Sequence, residues 1–144
     1  MTVEFGLETP GERSAVVSLM RAHEWEIDRL DQGEVWVARD DGEVIGVVHG
    51  VEVEPRTFYV ESVLIREDRR GAGVGSELMR AVASSHQGDV LLGCHDNRVA
   101  FYERLGYVGV TEADLSAAER DHAYLNDDLP SREDHVHSMM RFRA

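Results

Sequence analysis

Apolar residues alternate with polar ones at Val3, Phe5 and Leu7, which predicts a short first strand. Thr9-Pro10-Gly11-Glu12 then has the spacing of a capping box, with Pro at the first helical position, so a helix is expected to open there. Val16, Met20, His23, Ile27 and Leu30 follow at helical spacing, and Gly33 closes the pattern. His23 falls on the apolar side of this helix and reads as a core or rim histidine rather than a catalytic one. Residues 35–38 and 44–53 read as two strands joined across 39–43, because Asp-Gly between apolar runs is a strong hairpin signal. Glu52 and Glu54, two residues apart near the end of the second strand, read as a solvated strand face. Pro55 breaks that strand and Thr57–Ile65 forms the next, which completes a three-stranded antiparallel meander.

Beyond Ile65 the alternation stops at Arg69-Arg70-Gly71-Ala72-Gly73-Val74-Gly75-Ser76, after which Val74, Leu78, Met79 and Val82 mark one face of a helix. Residues 89–94 form a short apolar strand. Residues 99–105 predict a short aromatic-rich helix ended by Gly106, where a left-handed residue is favoured, and 107–110 starts another strand. Residues 116–125 suit a helix, and 126–134 an acidic loop with Pro130. Val136, Ser138, Met140 and Phe142 alternate with His135, His137, Met139 and Arg141, as a closing strand would. Neither an internal repeat nor a linker interrupts the 144 residues, so one domain over 1–144 is expected.

Composition narrows the chemistry. With 28 acidic and 15 basic residues the net charge is −13, which argues against nucleic acid or anionic membranes and favours cationic or amine partners. Every one of the basic residues is Arg, so a lysine-bearing phosphate loop and a lysine Schiff base are both excluded. Cys94 is the sole cysteine, which rules out an internal disulfide or a cysteine cluster for metal. It reads as a small buried apolar residue rather than a nucleophile. His135 and His137 share a strand face, but two ligands without a third predict no metal site. His122 and Tyr124 precede the acidic loop, and their spacing demands no role. The opening residues lack the basic start and apolar stretch of a secretory signal, and no run approaches the ~18 apolar residues of a membrane span, so a cytoplasmic location is expected.

The most specific feature is the order strand, Arg70-Gly71-Ala72-Gly73-Val74-Gly75, helix. Alternate glycines allow positive φ and close approach of main chain to a ligand. The helix start offers unpaired N–H groups and a positive dipole end, and Arg70 adds a forked donor suited to phosphate. A pyrophosphate is the natural guest. A dinucleotide-binding turn would need its third glycine one residue later and a parallel sheet before it. A ligand-free tight turn is disfavoured, since three alternating glycines are entropically costly for a mere connection.

The segment from Tyr59 to Val82 resembles the acetyl-CoA-binding segment of the GNAT superfamily of N-acetyltransferases. That family's signature (Arg or Gln, two residues, Gly, one residue, Gly or Ala) falls on Arg70, Gly73 and Gly75. Asn97-Arg98-Val99-Ala100-Phe101-Tyr102-Glu103-Arg104-Leu105-Gly106-Tyr107 is similar to its second signature, and the order of elements agrees along nearly the whole chain. One departure is visible: members often carry Asn seven residues before the Tyr, where this chain has His95, whereas Asn97 lies five before Tyr102. The resemblance implies an α/β (α+β) fold with a mixed, mostly antiparallel central sheet of about seven strands, helices on both faces, and a splay near Ile65 and Leu91 that takes the cofactor.

It also implies the chemistry: acetyl transfer from acetyl-CoA, as co-substrate and without metal, to a primary amine by direct attack in a ternary complex. Val63, Leu64 and Ile65 would lie along the pantetheine arm, with a strand amide near Leu64 or Ile65 polarising the thioester carbonyl. Backbone N–H groups of Gly71, Ala72, Gly73, Val74, Gly75 and Ser76 would hold the pyrophosphate beside Arg70, and Asn97 and Tyr102 would complete the cofactor contacts. Tyr102 is the candidate acid, since an ordinary phenol pKa of about 10 suits donation to a nascent thiolate. Glu61 is the candidate base, directly or through water; strict alternation would put it with Tyr59, Val63 and Ile65, where apolar neighbours would raise its pKa. A solvent-facing structural Glu is the alternative. The expected acceptor is a small-molecule amine. A protein N-terminus or lysine side chain is the enzyme rival, and a non-catalytic acyl-CoA-binding or sensing module the rival of another class. Homodimers are common in the family, and no motif here specifies one.

Overall fold

The computed structural model describes residues 2–127, 129, 131 and 138–144. The first strand, β1 (Val3–Leu7), leads into a 3-10 turn at Pro10–Glu12 and then α1 (Arg13–Ala22). The expected capping interaction forms: a Glu12 carboxylate oxygen accepts the Thr9 N–H at 2.9 Å. Arg39 donates to the same carboxylate at 2.7 and 2.8 Å, and chiefly for that reason its pKa is lowered to about 2.

α1 ends at Ala22, not at Leu30 as the spacing predicts. Trp25 N–H returns to the Met20 carbonyl at 2.9 Å and Glu24 N–H to Arg21 at 3.0 Å, which is a Schellman closure. Its left-handed position is held by Glu24 at φ 60°, where glycine is usual, so the stop carries no glycine to read. Leu30 is still buried and Ile27 still packs against the same cluster. The apolar spacing was therefore a burial signal, met by irregular chain rather than by helix.

β2 (Glu34–Asp40) and β3 (Glu43–Glu54) pair with Asp40 opposite Glu43. Asp41 and Gly42 make the two-residue turn between them, both at positive φ, 51° and 83°. Pro55 and Arg56 connect β3 to β4 (Thr57–Ile65). Arg56 takes φ 73°, and its carbonyl accepts the Asp89 N–H at 2.7 Å. A Cβ at Gly88 would lie 1.8 Å from that carbonyl oxygen, so only glycine fits there.

After a 3-10 turn at Glu67–Arg69 come α2 (Val74–Ser85), β5 (Asp89–Cys94), α3 (Val99–Arg104) and β6 (Val108–Val110). The residues buried on α2 are Val74, Leu78, Met79 and Val82, the four read from the sequence. The helix expected over 116–125 is two short ones, α4 (Ala117–Asp121) and α5 (Ala123–Asp127), parted by His122 in extended conformation. Ser116 caps the first, accepting the Glu119 N–H at 3.0 Å. The last strand, β7, is Ser138–Phe142. Its expected beginning, with His135, Val136 and His137, lies outside the described residues, as does most of the expected acidic loop.

The strands form one seven-stranded sheet in the order β1-β2-β3-β4-β5-β7-β6. β1–β2, β2–β3, β5–β7 and β6–β7 pair antiparallel, and β4–β5 pair parallel, as a strand–helix–strand crossover through α2 requires. This is the mixed, mostly antiparallel α/β fold expected.

The chain divides into two compact units, one of Met1–Gly50 with Ser62–Ser85 and one of Val51–Glu61 with His86–Ala144. The first has a core of Val16, Leu19, Met20, Leu30, Val35, Val37, Val44, Val47 and Leu64. At roughly 1.5–3 kcal/mol for each fully buried aliphatic side chain, this cluster is the main favourable contribution to that unit. The second is built on Tyr59, Leu91, Leu115, Leu125 and Met139 with their neighbours. It also buries an ion network: Arg141 Nη2 donates to both Glu119 oxygens at 2.7 Å, and Nη1 to Asp89 at 2.8 Å. Among the described residues no helix is long and apolar enough to cross a membrane.

Candidate active site

The glycine turn is tied down from its own side chains. Arg66 bridges Asp68 and Glu43, and Arg69 pairs with Asp40 at 2.8 Å. Arg70, expected as a charge for phosphate, is exposed, and its Nε donates to the Ile65 carbonyl at 3.0 Å. It thus closes the loop between the end of β4 and the glycines.

Gly71 and Gly73 adopt φ 83° and 84°, and nothing lies within 4 Å of where either Cβ would be. Both are exposed, with Ala72 between them. The first helical hydrogen bond of α2 runs from Glu77 N–H to Gly73 O at 3.1 Å. The N–H groups of Val74, Gly75 and Ser76 precede it and have no intrahelical partner. Open space beside left-handed glycines, continued by helix-start amides, fits a pyrophosphate held by main chain.

Of the three residues expected along the pantetheine arm, Val63 and Ile65 are half-buried and Leu64 is buried in the core of its unit. The Leu64 side chain is therefore committed to that core. Ile65 Cδ1 occupies the space where a Cβ on Gly46 would be, at 2.7 Å. The β4–β5 ladder ends at Val60 and Leu92, earlier on β4 than the splay expected near Ile65. From Glu61 onward β4 has no β5 partner. Glu61 itself is half-buried, with one carboxylate oxygen shielded from solvent.

Tyr102, on α3, is 7% exposed. Burial, reinforced by Cys94 and opposed by Arg98, pushes its pKa up to about 12. Phe101 meets the Tyr102 ring edge-on at 5.0 Å, and Tyr107 lies 5.6 Å away on the other signature aromatic. Tyr107 N–H donates to the Tyr102 carbonyl at 3.1 Å. Phe142 packs 5.4 Å from Tyr107. Gly106, at φ 96°, would meet the Phe142 ring at 3.3 Å with any Cβ. Cys94 is buried, and burial followed by the nearby Asp96 raises its thiol pKa.

Asn97 and His95 are both exposed, Asn97 on a 3-10 turn at Asp96–Arg98. The His23 ring nitrogen lies 3.1 Å from the Leu19 carbonyl, a local bond at the end of α1. His122 Nδ1 accepts the Tyr124 N–H at 3.3 Å and the rings meet edge-on, which accounts for the pair within α4–α5. Among the described residues no group of three His, Cys, Asp or Glu could hold a metal ion, and His135 and His137 lie outside them. The sequence marks Tyr107 as the start of a strand and as the last residue of the second signature, and assigns it no place in the site. The signal for its place beside Tyr102 was present in Leu105-Gly106-Tyr107, where a left-handed glycine folds the next aromatic back onto the helix.

No curated protein sequence matches the chain significantly. Solved structures of the same fold are numerous. A GNAT-family acetyltransferase from Staphylococcus aureus superposes with TM-score 0.70 at 12% identity, covering 99% of both chains. The indicated IAA acetyltransferase of Bacillus cereus gives 0.70 at 17% identity over 99% of this chain and all of that one. N-acetylglutamate synthase from Neisseria gonorrhoeae, in complex with coenzyme A and N-acetyl-glutamate, gives 0.76 at 15% identity, with 99% of this chain covering 35% of that one. The profile of the acetyltransferase (GNAT) domain matches residues 31–109, more than half of the chain, and the protein therefore belongs to the GNAT acetyltransferase family.

Proposed function

We propose that this protein moves an acetyl group from acetyl-CoA to a primary amine of a small molecule, by direct attack in a ternary complex. The observation that carries the reading is the glycine turn, where Gly71 and Gly73 stand at positive φ with open space beside them. When bound, acetyl-CoA supplies the activated acyl thioester. The main chain from Gly71 to Ser76 holds its pyrophosphate, and an amide of Leu64 or Ile65, on the part of β4 free of β5, polarises the carbonyl. Fixing amine and thioester together supplies much of the remaining acceleration. Glu61 takes the proton that the attacking nitrogen sheds, and Tyr102 protonates the departing sulfur. Val63, Arg70 and Asn97 complete the cofactor contacts in this reading. A small amine is supported by the net charge of −13, which attracts cations. The complex of N-acetylglutamate synthase with coenzyme A and a small N-acetylated molecule gives further support.

The test is calorimetric titration with acetyl-CoA, followed by transfer of labelled acetyl to a panel of polyamines, amino sugars, aminoglycosides and amino acids set against peptides. Binding with transfer to a small amine is expected. Absence of both heat and thermal shift at millimolar acetyl-CoA defeats the reading, and transfer to peptides alone replaces the acceptor class. Tyr102→Phe should slow turnover while leaving acetyl-CoA affinity nearly intact.

A further inference from the structure

Tyr107 is 4% exposed, and its hydroxyl is buried with no hydrogen-bond partner among the described residues. A phenylalanine would fill the same ring volume without that cost, since a buried unsatisfied polar group is worth roughly 1–3 kcal/mol of stability. Buried polar groups are nearly always paired, so one that is not calls for a reason. The ring packs against Tyr102, with centroids 5.6 Å apart, and against Phe142 at 5.4 Å, and the Tyr107 N–H donates to the Tyr102 carbonyl at 3.1 Å.

The neighbour is the residue that must lose a proton. If Tyr102 is the acid, its hydroxyl proton passes to sulfur as the carbon–sulfur bond breaks with its electron pair on sulfur. The acceptor nitrogen has by then formed the new bond to the acyl carbon. The proton that nitrogen sheds leaves through Glu61, and one proton from solvent later restores Tyr102. In between, Tyr102 is a phenolate at a buried site, and burial is the main cause that makes its ionisation difficult. A buried anion needs a donor.

We propose that Tyr107 is a positioning residue for the Tyr102 acid: its unpartnered buried hydroxyl donates a hydrogen bond to the Tyr102 oxygen as that oxygen becomes anionic. The inference rests on the reading of Tyr102 as the acid. It is supported by the electrostatics of the pair. Burial first, and then the Tyr102 charge, push the Tyr107 pKa upward, so Tyr107 keeps its proton while Tyr102 is ionised. A hydrogen bond to a charged group is about twice as strong as a neutral one, so it favours the ionised state of Tyr102 over its resting state.

The experiment needs no acceptor. 3,5-Difluorotyrosine, a more acidic phenol, is introduced at position 102 and its phenolate titrated by absorbance, with and without Tyr107→Phe. The variant is expected to lower the ionisation constant of the fluorinated residue about tenfold, the size of one charge-assisted hydrogen bond. Thermal unfolding of Tyr107→Phe in the otherwise native chain is expected to be unchanged or higher. Where the amine panel gives turnover, Tyr107→Phe should cost about tenfold in the native chain and nothing in Tyr102→Phe, because it acts through that hydroxyl. An unchanged titration, a lower melting temperature or equal losses in both backgrounds overturns the inference. Full turnover in Tyr102→Phe overturns the acid reading and the inference with it, whereas a slow Tyr102→Phe beside a fast Tyr107→Phe removes the inference alone.

Discussion

Gly73 and Gly42 form a matched pair that separates a ligand cradle from an ordinary turn. Their φ values are 84° and 83°, and neither has an atom within 4 Å of an added Cβ. Alanine at either position meets no clash, only the left-handed penalty of roughly 1–2 kcal/mol, partly offset by the smaller entropy of the unfolded chain. Each variant should thus lose about 1 kcal/mol, or roughly 2–4 °C in melting temperature for a domain of this size. Their effects on ligand should diverge. At Gly42, in the β2–β3 hairpin, a methyl group meets solvent in every state. At Gly73 the same methyl enters the open space in which a phosphate oxygen would stand about 2.9 Å from a main-chain nitrogen. Calorimetry should find acetyl-CoA affinity unchanged in Gly42→Ala and at least about tenfold weaker in Gly73→Ala, a difference of about 1.4 kcal/mol. Equal affinities in the two variants, with equal losses of stability, would refute the assignment of the turn as the pyrophosphate site.

Two predictions concern the scaffold. Glu24→Gly relieves the left-handed residue that closes α1 and should raise the urea midpoint, by roughly 1 kcal/mol in stability. Glu119 is pushed upward in pKa by burial, but donors from Arg141, the Ser116 N–H and Thr57 outweigh this and hold it below the usual carboxylate range. A depressed folded pKa gives stability that is present above the unfolded value and is lost as pH falls through the folded one. Melting temperature should therefore drop below about pH 4.5. Glu119→Gln should cost about 3 kcal/mol at neutral pH and flatten that acid limb; a limb of unchanged steepness would exclude Glu119 as its source.

The parts of this fold that were legible in the sequence are those whose signal is local. Asp41-Gly42 announced its hairpin because both turn residues must take positive φ, and Val74, Leu78, Met79 and Val82 announced α2 because helical period alone selects them. The end of α1 was not legible, since Glu24 does the work that a glycine would have advertised. The break at His122 was hidden likewise, as nothing in 116–125 forbids helix. At the candidate site, Gly71 and Gly73 were readable as left-handed positions. The clamp of Arg70 on the Ile65 carbonyl was not, because an arginine beside a phosphate loop reads equally well as a free charge. The point where β4 leaves β5 depends on strand register, which no residue type at Val60 or Leu92 encodes.

The environment of Cys94 bears on the choice between two chemical routes. An acyl-enzyme route would need a nucleophile on the protein, and Cys94 is the only thiol in the chain. The thiolate, not the thiol, attacks a thioester, and burial together with Asp96 drives Cys94 toward the thiol. The environment therefore works against activation. The same burial pushes the Tyr102 pKa up to about 12, which leaves it protonated at neutral pH, as an ordinary phenol also is, and makes it the weaker acid. The apolar setting therefore bears on the route through Cys94, whose thiol it disfavours as a nucleophile.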